Sequence, residues 1–461
     1  MASRSLPQPA GGSAVERPGS AGSALLTWGA NIGSAILSLG SILIVARELG
    51  PEGRGHVALL TAIALLLGNL ATAGVQEANA NFAAAEPQTR RALATNSVLL
   101  AILLGAVAAG ALALLVWAVP DAVGDDTSRT FLWATVAFVP LIILEIYLLY
   151  LAQADYAFVV TNASMLLAPA VAFVGNALFA LTDVLTVRNA VAVWLAGQVA
   201  ATTLLVWFVA RRLAGFGRPD LALARRSLAF GLRAYVGRVM QLGNYRLDQW
   251  LLGAISGARA LGLYSVAVAW AEALWYLPTA LAAVQRPDLV RSHARTAGER
   301  AARVFRGSIL VTAVSGILMI ALAPFLCTVV FGEPFRDSVG QLRVLVLGAF
   351  GIVAVKLLGN ALVARGRPGL QSAAVGVGFL GTVVLDVLLI PPFEGMGAAI
   401  ASSAAYTAAG ATMAVIFVRL LGPRYRDLVP RGSDVTWVVR QMQSLGRRRG
   451  VPAEHPVTPQ P

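Results

Sequence analysis

The chain has 461 residues, of which 57% are hydrophobic and only 13% are charged, and its formal net charge is +13 at pH 7. Its mean hydropathy of +0.72 lies outside the usual range of soluble globular domains. This composition excludes a soluble protein and predicts an all-α integral membrane protein. Because arginine-rich cytoplasmic loops explain the positive charge, we expect no nucleic-acid partner.

Residues 1–23 are rich in Gly, Ser and Pro and contain no apolar core, so they are predicted to be a disordered cytoplasmic segment and not a cleavable signal. Twelve apolar runs follow, each about 20 residues long and therefore able to cross a bilayer as a helix. The predicted transmembrane helices are 24–45, 56–75, 96–119, 131–152, 158–181, 190–210, 230–255, 261–283, 307–331, 339–363, 370–390 and 397–420.

Charges between these runs predict the topology. Segments 211–227 and 284–306 are rich in arginine, whereas segments 120–130 and 332–338 carry acidic residues. The basic loops should face the cytoplasm, which places both termini there, in a protein of the cytoplasmic membrane. The predicted organisation is one six-helix bundle at 24–210, a basic cytoplasmic linker at 211–227, a second six-helix bundle at 228–421, and a basic cytoplasmic tail at 422–461.

The two predicted bundles share a sequence feature after their first helix. A shift of 207 residues (257 minus 50) aligns LGPEGRGHVA with SGARALGLYS, and it pairs Gly50 with Gly257 and Gly55 with Gly262. Since each half has an even number of helices, both halves enter the membrane from the same side. The pattern therefore predicts parallel repeats around a central cavity.

The seventh predicted helix carries polar residues at depths where charge usually indicates function. An arginine at the centre of a membrane helix costs about 2.5 to 3.5 kcal/mol on insertion scales, so it needs a counter-ion, a water-filled cavity or an anionic ligand. Two of these residues, Arg246 and Asp248, point about 160° apart and are poor partners for each other. The candidate substrate-binding residues are Arg238, Gln241, Asn244, Arg246 and Asp248.

Four further ionisable residues lie inside predicted spans: Glu145, Glu272, Lys356 and Asp386. Each is a candidate to pair with the helix-seven arginines or to bind a coupling proton or cation. The chain shows no catalytic motif, no spacing of metal ligands and no Walker A lysine motif, so we expect a transporter with no catalytic residue, no metal and no cofactor.

Three passages resemble the Wzx-type polysaccharide flippases of the multidrug and oligosaccharidyl-lipid exporter superfamily. They are ARELGPEGRGHVALL (46–60), FGLRAYVGRVMQLGNYRLDQWLLGAISGARALGLYSVA (230–267) and LDVLLIPPFEGMGAAIASS (385–403). The resemblance implies a carrier that moves a polyprenyl-diphosphate-linked oligosaccharide between leaflets by alternating access, for polysaccharide or O-antigen export. Arg238 and Arg246 would hold the diphosphate, and the implied partners are membrane lipids, a polysaccharide polymerase and glycosyltransferases.

Three alternatives remain open. A lipid II flippase is less favoured because proteins of that branch look like fourteen-helix proteins, whereas this sequence predicts twelve helices. A cation-coupled drug or metabolite antiporter of the same superfamily would have a cavity centred on carboxylates. A membrane polysaccharide polymerase or ligase belongs to a different class, and such enzymes usually carry a large outer loop that this chain lacks.

Overall fold

In a computed structural model, the chain forms helices joined by short connections, with no strand within the described residues, which are 20–118, 132–213, 215–276, 278, 294–365 and 367–436. Four predicted segments lie wholly or partly outside the described residues. They are residues 1–19 of the N-terminal segment, the whole acidic segment 120–130, residues 284–293 of the basic segment 284–306, and the tail beyond residue 436.

The described chain contains ten α-helices whose bounds are given below, together with short helical stretches at 132–136 and 432–436. Within this part, nine helical stretches are long and apolar enough to cross a membrane, and α2 is not among them. The helices are α1 Ser20–Ala71, α2 Val75–Ala85, α3 Arg90–Ala118, α4 Val139–Ala154, α5 Phe158–Leu181, α6 Val187–Phe208, α7 Leu221–Ala273, α8 Ala294–Pro324, α9 Ser338–Ala364 and α10 Pro368–Leu421. Shorter π and 3-10 turns lie at Pro87–Thr89, Val209–Leu213, Phe325–Val330, Glu333–Phe335 and Tyr425–Asp427.

Three of the long helices contain one non-helical residue each. These are Gly50 in α1 (φ 65°, ψ −173°), Gly257 in α7 (φ 83°, ψ 177°) and Glu394 in α10 (φ 47°, ψ −128°). Each break lies between two runs that the sequence predicts as separate helices. Dividing three of the nine candidate spans in this way gives twelve segments, and their arrangement as twelve spans in two bundles stays a prediction.

The sequence did not predict α2. The second arm of α1 ends at Ala71, and positive φ angles at Ala73 (48°) and Gly74 (73°) then turn the chain. Helix α2 is only 11 residues long and contains polar side chains such as Glu77 and Asn81. It therefore lacks the long apolar run by which the other helices were recognised.

Helices α1 to α6 pack on one another, α7 to α10 pack on one another, and α7 also packs along α1 and α2. The predicted linker is partly helical, because α7 begins at Leu221. Asp220 caps this end, since its side chain accepts a hydrogen bond from the Leu223 amide at 2.9 Å. Asn96 of α3 makes two hydrogen bonds with the Asp220 backbone, which fixes the start of α7 to the first half of the chain.

The two glycine turns related by the 207-residue shift lie against each other. A Cβ atom added to Gly55 would meet the Ala258 carbonyl, and one added to Gly262 would meet the Pro51 carbonyl. These two pairs are equivalent under the shift, so the contact is reciprocal. We call it the glycine-turn contact. It brings α1 and α7 closer together than any side chain at positions 55 and 262 would permit.

Arg47 strengthens the same junction. Its Nε donates to the Val330 carbonyl and its Nη2 to the Val329 carbonyl, both at 2.7 Å. These carbonyls belong to the π-helical turn Phe325–Val330, where the usual α-helical hydrogen bonds are interrupted. A guanidinium of the first half thus satisfies backbone acceptors of the second half.

We predict that Gly262→Ala destabilises the protein by about 1 to 3 kcal/mol, the usual range for overpacking a tight contact. The added methyl group would require the Pro51 backbone to move. Chemical unfolding of the purified protein in detergent measures the change. Gly110→Ala in α3 is the control, because no atom from another part of the described chain lies within 4 Å of its Cβ position. Equal stability of the two variants would contradict a tight glycine-turn contact.

Candidate functional site

A cavity of about 850 Å³ lies between α2 and the first part of α7, and we call it the α2–α7 cavity. Its volume is within the range of about 300 to 1,000 Å³ that is usual for ligand sites. The lining residues are Gly74, Glu77, Ala80, Asn81, Ala84, Ala85, Phe230, Tyr235, Arg238 and Gln241.

Helical spacing explains which residues line the α2–α7 cavity. On α2, the lining residues recur every three or four positions from Glu77 to Ala85, so they form one face of the helix. On α7, Tyr235, Arg238 and Gln241 recur every three positions. The sequence predicted Arg238 and Gln241 as site residues, and the structure places both in this cavity.

Contacts between α2 and α7 hold the walls of the cavity in place. The backbones of Gly74 and Gly231 meet where any Cβ would clash, and the rings of Phe82 and Phe230 lie 5.4 Å apart. Beyond them, Arg226 makes two hydrogen bonds to the Glu86 carboxylate. The Arg226 guanidinium lowers the pKa of Glu86 through these hydrogen bonds.

Arg238 faces a carboxylate that the sequence analysis did not identify. Its Nη1 lies 4.0 Å from Glu77 Oε1, and the two side chains are 38% and 41% exposed. The Tyr150 hydroxyl of α4 interacts with both groups. Both charges of the α2–α7 cavity are thus accessible to a ligand, and they lie on opposite walls.

Arg246 lies outside the lining of the α2–α7 cavity and forms an ion pair with Glu272. Arg246 Nη1 lies 2.6 Å from Glu272 Oε1. The structure therefore joins a predicted binding residue to a predicted coupling residue, and hydrogen bonding does not join Arg246 to Asp248. Lys356 lies close by, with its Nζ 6.0 Å from the centre of the Trp275 ring.

Asp248 lies in a buried polar group between α7 and α10. Its carboxylate accepts hydrogen bonds from the Tyr264 hydroxyl, from Ser402 Oγ at 2.8 Å and from the Gln249 amide at 2.7 Å. Asn244, one turn earlier, accepts a hydrogen bond from Thr382 Oγ1 at 2.6 Å. Both predicted site residues are buried and do not line the cavity.

Asp386 is fully buried one turn after Thr382, and neither of its carboxylate oxygens has a hydrogen-bond partner among the described residues. Asp248 is near enough to act on Asp386 electrostatically. Buried carboxylates normally have partners, so Asp386 is unusual, whereas Asp248 is fully hydrogen-bonded. Glu145, the remaining predicted residue, is partly buried on α4 and does not line the cavity.

The nine predicted residues therefore occupy three places and one separate position. The three places are the α2–α7 cavity (Arg238, Gln241), the ion-pair region (Arg246, Glu272, Lys356) and the buried carboxylate group (Asn244, Asp248, Asp386), and Glu145 lies apart. Sequence reasoning missed Glu77 and Asn81. Their spacing of four residues would have placed both on one face of a helix, but the sequence did not predict a helix over residues 75–85.

We predict that Arg246 and Glu272 are coupled by about 0.5 to 3 kcal/mol in a double-mutant cycle. Arg246→Gln and Glu272→Gln each leave one charge without its partner, whereas the double variant removes both. Unfolding free energies of the purified variants give the coupling. The exposed pair Arg336 and Glu333 is the control, with a coupling below about 1 kcal/mol. Additive effects at Arg246 and Glu272 would contradict a structural ion pair.

Solved structures with a similar fold cover nearly the whole chain. The lipid II flippase MurJ, in an inward closed conformation, aligns with 93% of this chain and 94% of its own, at a TM-score of 0.68 and 13% identity. A multidrug resistance MATE family transporter of the MOP superfamily, in an inward-facing conformation, aligns with 92% of this chain and 99% of its own, at a TM-score of 0.64 and 13% identity.

A eukaryotic MATE transporter aligns with 91% of this chain and 98% of its own, at a TM-score of 0.62 and 13% identity. At these identities the likeness shows the fold alone. A search of curated proteins found no match. The profile of the family described as polysaccharide biosynthesis protein matches residues 44–340, which is more than half of the chain. The chain therefore belongs to the polysaccharide biosynthesis protein family, and it has the fold of MOP superfamily transporters.

Proposed function

We propose that this protein is a flippase that moves a polyprenyl-diphosphate-linked oligosaccharide across the cytoplasmic membrane by alternating access. Family membership supports a role in polysaccharide biosynthesis, and the shared fold supports a multi-pass membrane transporter or flippase. The single observation that carries the proposal is Arg238, an accessible arginine inside the α2–α7 cavity.

Arg238 is suited to bind a phosphate group because its present ion pair is loose. The distance of 4.0 Å to Glu77 exceeds the 2.7 to 2.9 Å of a charge-assisted hydrogen bond. A diphosphate oxygen can therefore approach the guanidinium without first breaking a close hydrogen bond to a carboxylate. Arginine presents five donors in a planar fork, which matches the geometry of phosphate oxygens.

Arg246 is proposed as a second contact for the head group. Arg246 Nη1 donates a close hydrogen bond of 2.6 Å to Glu272 Oε1, so an anion would have to displace this carboxylate. Such an exchange would link substrate arrival to a change in the contact between the two arms of α7, since Arg246 precedes the break at Gly257 and Glu272 follows it.

Asp248 and Asp386 are proposed as the site of the coupling ion. Two neighbouring carboxylates buried in a membrane protein require a proton or a cation to offset their charge. Asn244 and Thr382 lie beside them and supply neutral oxygens. Binding here would act on α7 and α10 together, because each helix contributes one of the two carboxylates.

The orientation is also proposed. The basic segments 211–227 and 284–306 would face the cytoplasm, which places the glycine-turn contact on the outer side of the membrane. The outer side would then be closed in this structure, and opening it would separate Gly55 from Ala258. A polysaccharide polymerase and glycosyltransferases are the expected partners of such a flippase.

A cation-coupled antiporter is the second candidate. The buried pair of Asp248 and Asp386 favours it, as does the carboxylate of Glu77 in the cavity. A lipid II flippase is the third candidate, and the fold shared with MurJ is the observation that supports it. The transport experiment below separates a lipid-linked substrate from a small cationic one.

In proteoliposomes, the protein should move a fluorescent polyprenyl-diphosphate-linked saccharide between leaflets, measured with a membrane-impermeant quencher. We expect Arg238→Gln and Arg246→Gln each to slow transport at least about tenfold, which corresponds to about 1.4 kcal/mol. Arg238→Lys should retain part of the rate because it keeps the charge but loses the planar fork. The exposed Arg188→Gln is the control and should transport normally.

Normal transport by Arg238→Gln in correctly inserted protein would contradict a head-group role for that residue. Absence of lipid transport by the wild-type protein, together with uptake of an organic cation, would favour the antiporter.

Cysteine labelling in intact cells tests the orientation, in a Cys327→Ser background that removes the chain's one cysteine. Glu333→Cys should react with a membrane-impermeant maleimide added outside, whereas Arg225→Cys and Arg300→Cys should react only after the cells are opened. All three positions are exposed in the structure, so burial does not explain a lack of reaction. Labelling of position 300 from outside would overturn the twelve-helix topology.

A further inference from the structure

The described residues that line the α2–α7 cavity do not provide an excess of positive charge for a bare diphosphate. Among them are one guanidinium, Arg238, and one carboxylate, Glu77, whose charges cancel. The other polar lining groups are the carboxamides of Asn81 and Gln241 and the phenol of Tyr235. Such a mixture of donors and acceptors fits a neutral ligand that carries many hydroxyl groups.

The placement of these groups supports the same interpretation. Glu77 and Asn81 are one helical turn apart on α2, and Arg238 and Gln241 lie on the facing wall formed by α7. Between and beside them, the α2 wall consists of Gly74 and three alanines. A pyranose ring can enter a space bounded by small residues, and its hydroxyl groups can then reach polar groups on both walls.

We infer that the α2–α7 cavity holds a sugar residue of the substrate next to the diphosphate, and that Glu77 and Asn81 select it. This inference rests on the proposed function, since it assigns parts of the same substrate to parts of the same cavity. The Glu77 carboxylate accepts hydrogen bonds from sugar hydroxyls. The Asn81 and Gln241 amides bind hydroxyl or acetamido groups, and Arg238 lies where the sugar meets the phosphate.

Glu77 should therefore strengthen binding of the sugar and weaken binding of the diphosphate. Its carboxylate binds sugar hydroxyls, but it also repels phosphate and competes for Arg238. Removing the charge with Glu77→Gln should weaken binding of a sugar-bearing lipid and strengthen binding of the same lipid without sugar. A merely structural role of Glu77 would change both affinities in the same direction.

The test uses the full-length protein in nanodiscs and three probes. These are undecaprenyl diphosphate, the same lipid carrying one glucose, and the same lipid carrying one N-acetylglucosamine. The wild-type protein should bind at least one sugar-bearing lipid about tenfold more tightly than undecaprenyl diphosphate, because a site built for hydroxyl groups discriminates against ligands that lack them. Asn81→Ala should reduce this preference about five- to tenfold and change the affinity for undecaprenyl diphosphate less than about twofold.

The matched control is Asn31→Ala, an exposed asparagine of α1 outside the cavity, which should bind all three lipids as the wild type does. If the wild-type protein binds all three lipids equally, or if Asn81→Ala weakens all three equally, the sugar subsite is wrong and the flippase proposal stands. If the wild-type protein binds none of the three, the proposed function itself fails, and the sugar subsite fails with it.

Discussion

The arrangement of this protein depends on the pairing of charged side chains inside apolar helices. Removing a charge from water costs several kcal/mol unless a partner compensates for it. Glu272 compensates Arg246 across the two arms of α7, and Glu77 of α2 faces Arg238. The first pair joins the two arms of α7, and the second lies where α7 faces α2. The charges are therefore matched at the places where these helical segments meet.

Helix α7 links the two groups of helices at both ends of its first arm. Near its start, Gly231 meets Gly74 beside the α2–α7 cavity, and at its break the residues around Gly257 form the glycine-turn contact with α1. A helix that contacts the other half at two distant points can transmit a change at one point to the other. The ion pair of Arg246 and the buried carboxylate of Asp248 lie between these points on the same arm.

The substrate that we propose has two unlike parts, and the α2–α7 cavity has groups suited to each of them. A strongly cationic cavity would hold a diphosphate tightly and release it slowly. Where a carboxylate faces the guanidinium, that carboxylate competes with phosphate and weakens its binding. Transport by alternating access needs binding that is reversible on both sides of the membrane. In the proposed flippase, the loose pair of Arg238 and Glu77 would meet this requirement better than an unopposed arginine.

The sequence determined the membrane class, the long helices and the glycine turns, because these depend on local patterns. Apolar length identifies a span, and the repeat at Gly50 and Gly257 marks positions that require positive φ. The sequence also predicted that Arg238 and Gln241 share one face of a helix, and both line the α2–α7 cavity, whereas their role in binding stays a prediction.

Only the tertiary structure decided the partners of the charged residues, since these lie on other helices or on the other arm of α7. No local sequence pattern around Arg246 indicates that Glu272 is its partner. The Asp248 carboxylate accepts hydrogen bonds from the hydroxyl groups of Tyr264 and of Ser402, and Ser402 lies on α10, 154 positions away along the chain. Glu77 and Asn81 were missed because α2 is short and polar, so hydropathy gives no signal for it. Its helical form depends on packing against α4 and α7, and that packing is a property of the folded chain.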